Sequence, residues 1–64
     1  MEIYLEIRTS KMRRYYEGTL KKMELLGDHT LFVISQFSGK GAIVDVPNEN
    51  IVTCNVLDPN SIAA

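Results

Sequence analysis

Short segments that alternate between apolar and other residues fill most of this chain of 64 residues. In the first segment, residues 3–8, the apolar side chains are Ile3, Leu5 and Ile7, and every second residue is polar or aromatic. A repeat of two residues is the period of a β-strand that is buried on one face. Four further β-type segments follow, at residues 12–26, 31–37, 42–46 and 51–57. The pattern predicts an all-β fold.

Turn-forming residues separate these segments. Residues 27–28 are a Gly-Asp pair between two apolar runs, which indicates a hairpin turn. Pro47 ends the fourth segment because it cannot donate a hydrogen bond to a sheet, and residues 47–50 fit one short helical turn. A helix competes with a strand over residues 21–26, but Gly18 and the two tyrosines before it favour a strand.

The small size of the chain limits how its strands can be arranged. Five short strands with open edges do not make a stable flat sheet, so we expect them to curl into a small, strongly bent antiparallel barrel. The barrel is expected to occupy residues 1–58 as a single domain, with residues 59–64 as a loose tail. Cys54 and His29 are the only residues of their kinds, which rules out a disulfide or a four-ligand zinc site within the chain. Association between copies is the remaining source of stability.

The sequence also bears on where the protein resides. It contains a single cysteine, no secretory leader pattern and no apolar run of the length that a membrane helix needs. We therefore expect a cytoplasmic protein without a membrane partner.

The order of these signals resembles the Sm-like family of small β-barrels. The stretch GTLKKMELLGDHTLFV is similar to the first Sm motif of that family, with Gly18, Leu20 and Glu24 at matching intervals. The stretch VDVPNENIVTC resembles the second Sm motif, with Asn50 and Ile51 in register. The resemblance spans about residues 3 to 57. It implies a barrel whose fourth strand pairs with the fifth strand of the next copy, here residues 42–46 and 51–57, to form a ring.

The resemblance also implies an RNA site in two loops. The positions that match the uridine pocket of the family are occupied by Leu26, Asp28, Pro47 and Asn48. Leu26 cannot stack on a base as an aromatic ring does, Asp28 repels phosphate, and Pro47 lacks the guanidinium that would clamp it. The SH3-like barrel is the alternative resemblance, because a helical turn containing proline also precedes its last strand. This chain lacks tryptophan and the aromatic groove with which SH3 domains bind proline-rich peptides.

Basic residues are concentrated near the start of the chain. Six of the seven lie between residues 8 and 22, although the net charge is only -1. Lys11, Arg13 and Arg14 could neutralise phosphates, and a neighbouring tyrosine could stack on a base. On a strand Tyr15 and Tyr16 point to opposite sides, so one is core and the other exposed. The alternative interpretation is a charged hairpin tip that protects the sheet from aggregation.

Two functions follow from these observations. The first is an oligomeric Sm-like module that binds RNA or single-stranded nucleic acid without catalysis, through a set of six residues: Lys11, Arg13, Arg14, Tyr16, Asp28 and Asn48. The second is a module for protein interaction or assembly that binds no nucleic acid. No arrangement of residues predicts an enzyme, a cofactor or a metal site. Cys54 shares a strand face with Val52 and Val56, so a buried structural thiol is expected there.

Overall fold

The computed structural model describes residues 1–57 of the chain. Residue 58 and the expected tail at residues 59–64 lie outside the described part. Five strands and one short helical turn account for most of it: β1 (Glu2–Arg8), β2 (Arg13–Leu26), β3 (His29–Gln36), β4 (Gly41–Pro47), the 3-10 turn η1 (Asn48–Asn50) and β5 (Ile51–Leu57). The predicted all-β class is confirmed, as is the short helical turn before the last strand. Each predicted strand differs from the observed one by at most two residues at either end.

All five strands belong to one antiparallel sheet with the order β4-β3-β2-β1-β5. The 14-residue strand β2 joins the two halves of the sheet, because its first half pairs with β1 and its second half pairs with β3. Strands β4 and β5 are the outermost strands, and within residues 1–57 neither is paired with the other. The sheet is therefore antiparallel and five-stranded, but it is not closed by hydrogen bonds.

The sheet is nevertheless curved. In a flat sheet, four strand spacings would hold the outermost strands about 19 Å apart. The link from Pro47 at the end of β4 to Ile51 at the start of β5 covers only four residue steps, which span about 14 Å at most. Pro47 and Ile51 can lie within this distance of each other only if the sheet bends. The pairing register shifts at two places, in β2 between Leu20 and Lys22 and in β1 between Glu6 and Ile7. Irregularities of this kind bend a strand locally.

The concave face of the curved sheet holds the hydrophobic core. Its buried apolar residues come from three strands: Ile3, Leu5, Ile7, Phe32, Ile34, Val44 and Val46. β1 and β4 are three positions apart in the sheet, so their contact in one cluster depends on the bend. The predicted burial of the alternating apolar residues of β1 is confirmed.

The turn between β2 and β3 has only two residues. Leu26 pairs directly with His29, and Gly27 between them has a φ of 80°. A glycine with positive φ at the first turn position is typical of a type II′ hairpin, whose twist matches that of the strands. Pairing therefore begins at His29, two residues before the predicted start of this strand.

Candidate functional site

The turn between β1 and β2 presents the first of the predicted basic residues. Thr9 organises this turn: its hydroxyl oxygen accepts hydrogen bonds from the amides of Lys11 (3.3 Å) and Met12 (3.2 Å). The amide of Thr9 also donates to the carbonyl of Met12 at 2.9 Å. The backbone under the Lys11 side chain is thus held in place, while the side chain itself lies in an exposed position.

Arg13 and Arg14 begin β2 and point to opposite faces of the sheet. Arg13 lies on the convex face, where its Nε is 3.6 Å from a carboxylate oxygen of Glu6. The Nε of Arg14 donates to the sulfur of Met12 at 3.1 Å. Both arginines are exposed. The guanidinium of Arg14 has no carboxylate partner within residues 1–57, so it is the freer of the two to meet a phosphate.

The two adjacent tyrosines have different environments. Tyr16 is in register with Leu5, whose side chain is fully buried, and it packs against the core. Tyr15 lies on the convex face and is 52% exposed. Its ring centroid is 6.3 Å from that of Tyr4, with the planes tilted by 42°. The prediction that one tyrosine is core and the other exposed is confirmed, and the ring open to stacking is that of Tyr15.

Asp28 and Asn48 are brought together, as their predicted role in one site requires. The amide of Asn48 donates to the carbonyl of Asp28 at 2.8 Å. The Nδ2 of Asn48 donates to the carbonyl of Gly27 at 3.1 Å, and its Oδ1 accepts from the hydroxyl of Thr30 at 2.6 Å. Thr30 is the buried polar residue of the core. The Asn48 side chain therefore fastens η1 to the β2–β3 turn, and we call this contact the Asn48 clamp.

The six predicted site residues fall into two groups. Lys11, Arg13 and Arg14 lie at the β1–β2 turn, with Tyr16 close behind them on β2. Asp28 and Asn48 lie at the other end of β2, on the Asn48 clamp. No hydrogen bond or ion pair within residues 1–57 connects the two groups. In the basic turn, Lys11 and Arg14 have no carboxylate partner within residues 1–57, whereas Arg13 is paired with Glu6.

An ion pair that the sequence did not predict lies beside the clamp. The Nδ1 of His29 is 2.6 Å from Oδ1 of Asp45, on the neighbouring strand β4. This hydrogen bond raises the pKa of His29; desolvation opposes the rise, and the charge of Asp45 adds to it. Asp28, adjacent in sequence, contributes to the rise through its charge. The sequence pattern alone does not indicate this ion pair. It follows from the strand register, which places Asp45 opposite Leu31 and diagonally across from His29.

The expectation of a buried Cys54 is wrong. Cys54 is exposed, although it pairs with the fully buried Leu5 and lies on the same side of the sheet. The reason is its position on β5, an outermost strand that no further strand covers. Partial burial raises the pKa of its thiol, so the thiolate that a reactive cysteine needs is disfavoured.

The described residues contain neither a metal cluster nor a membrane helix. Residues 1–57 include no group of three or more His, Cys, Asp or Glu side chains that could hold a metal ion. Within the same residues, no helix has the length and apolarity to cross a membrane.

Comparison with known proteins gives no relative for this chain: no family model, curated protein or solved structure matches it.

Proposed function

We propose that this chain is an Sm-like barrel module that assembles with copies of itself and binds single-stranded nucleic acid without catalysis. The observation that carries the assembly is that, within residues 1–57, the outermost strands β4 and β5, of seven residues each, have outer edges without a partner strand. β4 and β5 are the strands that the Sm-like resemblance implicates in pairing between subunits. An unpaired edge of this length is a template for another strand.

Assembly would complete the barrel. The bend already brings the ends of β4 and β5 within a short link of each other, and the edges of these strands differ in sequence. Pairing the β4 edge of one copy with the β5 edge of the next is head-to-tail, and such contacts close into rings where the rotation allows. Ile43, at the centre of β4, has a side chain that is 77% exposed. Its exposure on an open edge is consistent with a surface that a partner covers.

A lysine on the β4 edge tests this assembly. Ile43→Lys introduces a charge of the kind that protects natural edge strands from pairing, and it should reduce the native mass to that of a monomer. Leu25→Lys is the matched control, because Leu25 is 75% exposed and lies on β2, outside the β4 and β5 edges that the proposal pairs. Sedimentation equilibrium measures both. A wild-type chain that is monomeric at micromolar concentration, or an Ile43→Lys variant with unchanged mass, would contradict the proposal.

The nucleic-acid ligand is supported by the basic turn. Lys11, Arg13 and Arg14 are exposed there, and Tyr15 offers an exposed ring two residues from Arg13. Guanidinium and ammonium groups next to an aromatic face are the combination that binds single strands, through phosphate contacts and base stacking. Assembly would repeat this small site around the particle, so that several turns could contact one strand.

The test of nucleic-acid binding is its salt dependence with an oligouridine probe. The double variant Lys11→Gln and Arg14→Gln should weaken binding and reduce the slope of log K against log salt by about 1.4, since each lost phosphate contact accounts for about 0.7 on a single strand. Lys40→Gln, in the turn before β4, removes one charge elsewhere and should change neither. Tyr15→Leu should weaken binding with the slope unchanged, because stacking releases no counterions.

The second candidate function is a protein-interaction module that binds no nucleic acid. It is favoured by the free edges, because a strand of another protein can pair with them as well as a strand of a second copy. This function would be favoured over the first if the chain bound no oligouridine at low salt and one other protein copurified with it in a constant ratio.

A further inference from the structure

A pocket of about 430 Å³ opens at one end of the sheet, where β1, β2 and β5 meet the turn after β3. Its wall includes Glu2, Tyr4, Glu17 and Phe37, together with residues 54–57 of β5. We call it the Tyr4 pocket. Its volume falls in the range that proteins use for small ligands and single side chains. None of the predicted site residues contributes to it.

The polar and aromatic wall of the Tyr4 pocket follows from the strand register. Tyr4 lies directly opposite Glu17 on one side and Asn55 on the other. The amide of Phe37 donates to the carbonyl of Glu17 at 3.1 Å, which extends the row onto the chain that follows β3. Side chains at directly opposite positions lie about 5 Å apart on the same face. Two aromatic rings therefore flank a carboxylate in one row across four chain segments.

The charges at the Tyr4 pocket are all negative. Glu2 and Glu17 line it, and no lysine, arginine or histidine does. Within residues 1–57 neither carboxylate takes part in an ion pair, whereas Glu6 and Glu24 each have a basic partner. The pKa of Tyr4 is raised, first by partial burial and then by the negative charges around it, among which Glu6 has the largest effect. The pocket thus attracts positive charge that the described part of the chain does not supply.

We propose that the Tyr4 pocket binds the guanidinium of an arginine presented by an extended segment of a partner protein. An arginine side chain is planar, stacks on aromatic rings and bonds carboxylates through two parallel donors. Tyr4 and Phe37 provide the rings, and Glu2 and Glu17 provide the carboxylates. Phe37 is 63% exposed, so its ring is open to a partner.

The outer edge of β5 supplies the backbone part of the same site, so the partner segment would compete there with the β4 edge of a neighbouring copy. Residues 54–57 belong both to the pocket wall and to β5, whose outer edge has no partner strand among residues 1–57. A partner segment that adds to this edge as a further strand would direct alternate side chains toward the convex face. One of these side chains would enter the Tyr4 pocket. Partner recognition would therefore combine backbone pairing at the β5 edge with binding in a charged pocket.

The residues that follow β5 in this sequence bring no positive charge of their own. Residues 58–64 contain no basic residue, and Asp58 is acidic. This inference is independent of nucleic-acid binding, which depends on the β1–β2 turn at the far end of the β1–β2 pair.

The probe is a short labelled peptide that alternates threonine and valine around one central arginine. Its match carries citrulline, which keeps the planar shape and loses the charge. Fluorescence anisotropy with the full chain should show the arginine peptide binding about tenfold more tightly than the citrulline peptide. Glu17→Gln should remove about fivefold of that preference, and Phe37→Leu should reduce it by a similar factor because the ring is lost.

The matched control is Glu49→Gln, which removes the same charge from η1, outside the Tyr4 pocket. It should leave the preference for arginine unchanged, as should Arg14→Gln. Circular dichroism confirms that each variant is folded. Equal binding of the two peptides would overturn the proposal. The proposal would also be overturned if the arginine peptide did not bind and the Glu17→Gln substitution lowered the native mass. The pocket would then be a contact between copies of this chain.

Discussion

Asn48 connects η1 to the β2–β3 turn and to β3 through three hydrogen bonds. Its side chain satisfies the hydroxyl of Thr30, which is 3% exposed, and the carbonyl of Gly27. The sequence placed Asn48 in a ligand loop beside Asp28. The two residues are indeed adjacent, but the amide of Asn48 is already occupied with holding the loops together.

Removing the Asn48 amide should therefore destabilise the fold. Asn48→Ala leaves the buried hydroxyl of Thr30 without its partner, and we expect a loss of about 2 kcal/mol in the free energy of unfolding. Urea denaturation measures the change. Asn55→Ala, on the exposed face of β5, removes an amide without a side-chain hydrogen bond among residues 1–57 and should cost much less. Equal losses for the two variants would contradict a clamp at Asn48.

The His29–Asp45 pair should make stability depend on pH. The pKa of His29 is raised in the folded state, so the pair stabilises the protein fully below the ordinary pKa of histidine. This contribution is lost as the pH rises through the folded-state pKa. The difference in unfolding free energy between wild type and Asp45→Asn should thus be larger at about pH 5.5 than at about pH 8.5. A difference that is constant over this range, or that grows with pH, would show the pair to be unimportant.

The tyrosine pair shows where residue-level prediction ends. Alternation alone places Tyr15 and Tyr16 on opposite faces, and that was correct. It does not say which face is covered, because the answer depends on the register that sets Tyr16 opposite Leu5. The candidate chosen for stacking was Tyr16, whereas the exposed ring is that of Tyr15. The contribution of Tyr16 to ligand binding stays a prediction.

At the scale of the strands, β2 and β3 come very close at Gly18. A Cβ atom on Gly18 would lie 2.7 Å from the Cα of Gln36 and still closer to the carbonyl oxygen of Ser35. Only a residue without a side chain allows this approach, since neither contact involves a flexible side chain that could move aside.

Gly18→Ala should accordingly be destabilising by about 2 kcal/mol or more, because the backbones of β2 and β3 must separate. Gly41→Ala is the matched control: no atom lies within 4 Å of the corresponding Cβ, and its backbone has no positive φ. It should change stability by less than about 0.5 kcal/mol. Thermal unfolding of the two variants gives the comparison, and similar melting temperatures would argue against a close crossing.

The strands themselves could be predicted because their signals are local. A period of two in β1, a Gly-Asp turn before β3 and a proline at the end of β4 each act over a few residues. The fate of β5 could not be predicted in this way. Its pattern is that of a half-buried strand, yet Cys54 is exposed because burial on an outermost strand depends on what lies beyond it. The sequence also did not indicate the Tyr4 pocket, because the wall of this pocket comes from segments that lie far apart in sequence.

At the scale of the whole molecule, the curved sheet encloses a core of seven buried apolar residues among residues 1–57. A domain of this size buries a modest share of its surface and is marginally stable alone. If copies associate through β4 and β5, stability should rise with protein concentration, because folded chains are removed into the assembly.

Denaturation at several concentrations measures this coupling. The melting temperature of the wild-type chain should increase over a hundredfold range of concentration, whereas that of Ile43→Lys should stay constant. The Leu25→Lys variant should behave like the wild type. A melting temperature that is independent of concentration in the wild type would indicate a chain that folds and functions as a monomer.

The Asn48 clamp lies between the two outermost strands in sequence, and its hydrogen bonds go to the β2–β3 turn and to Thr30 of β3 rather than to β4 or β5. Local opening that begins in β5 should therefore stop at Asn48, because the clamp holds the preceding link against the β2–β3 turn. β4 keeps its pairing with β3 when this happens. The two outer strands can then exchange their amide hydrogens at unrelated rates, and a partner can open one edge while the other stays intact.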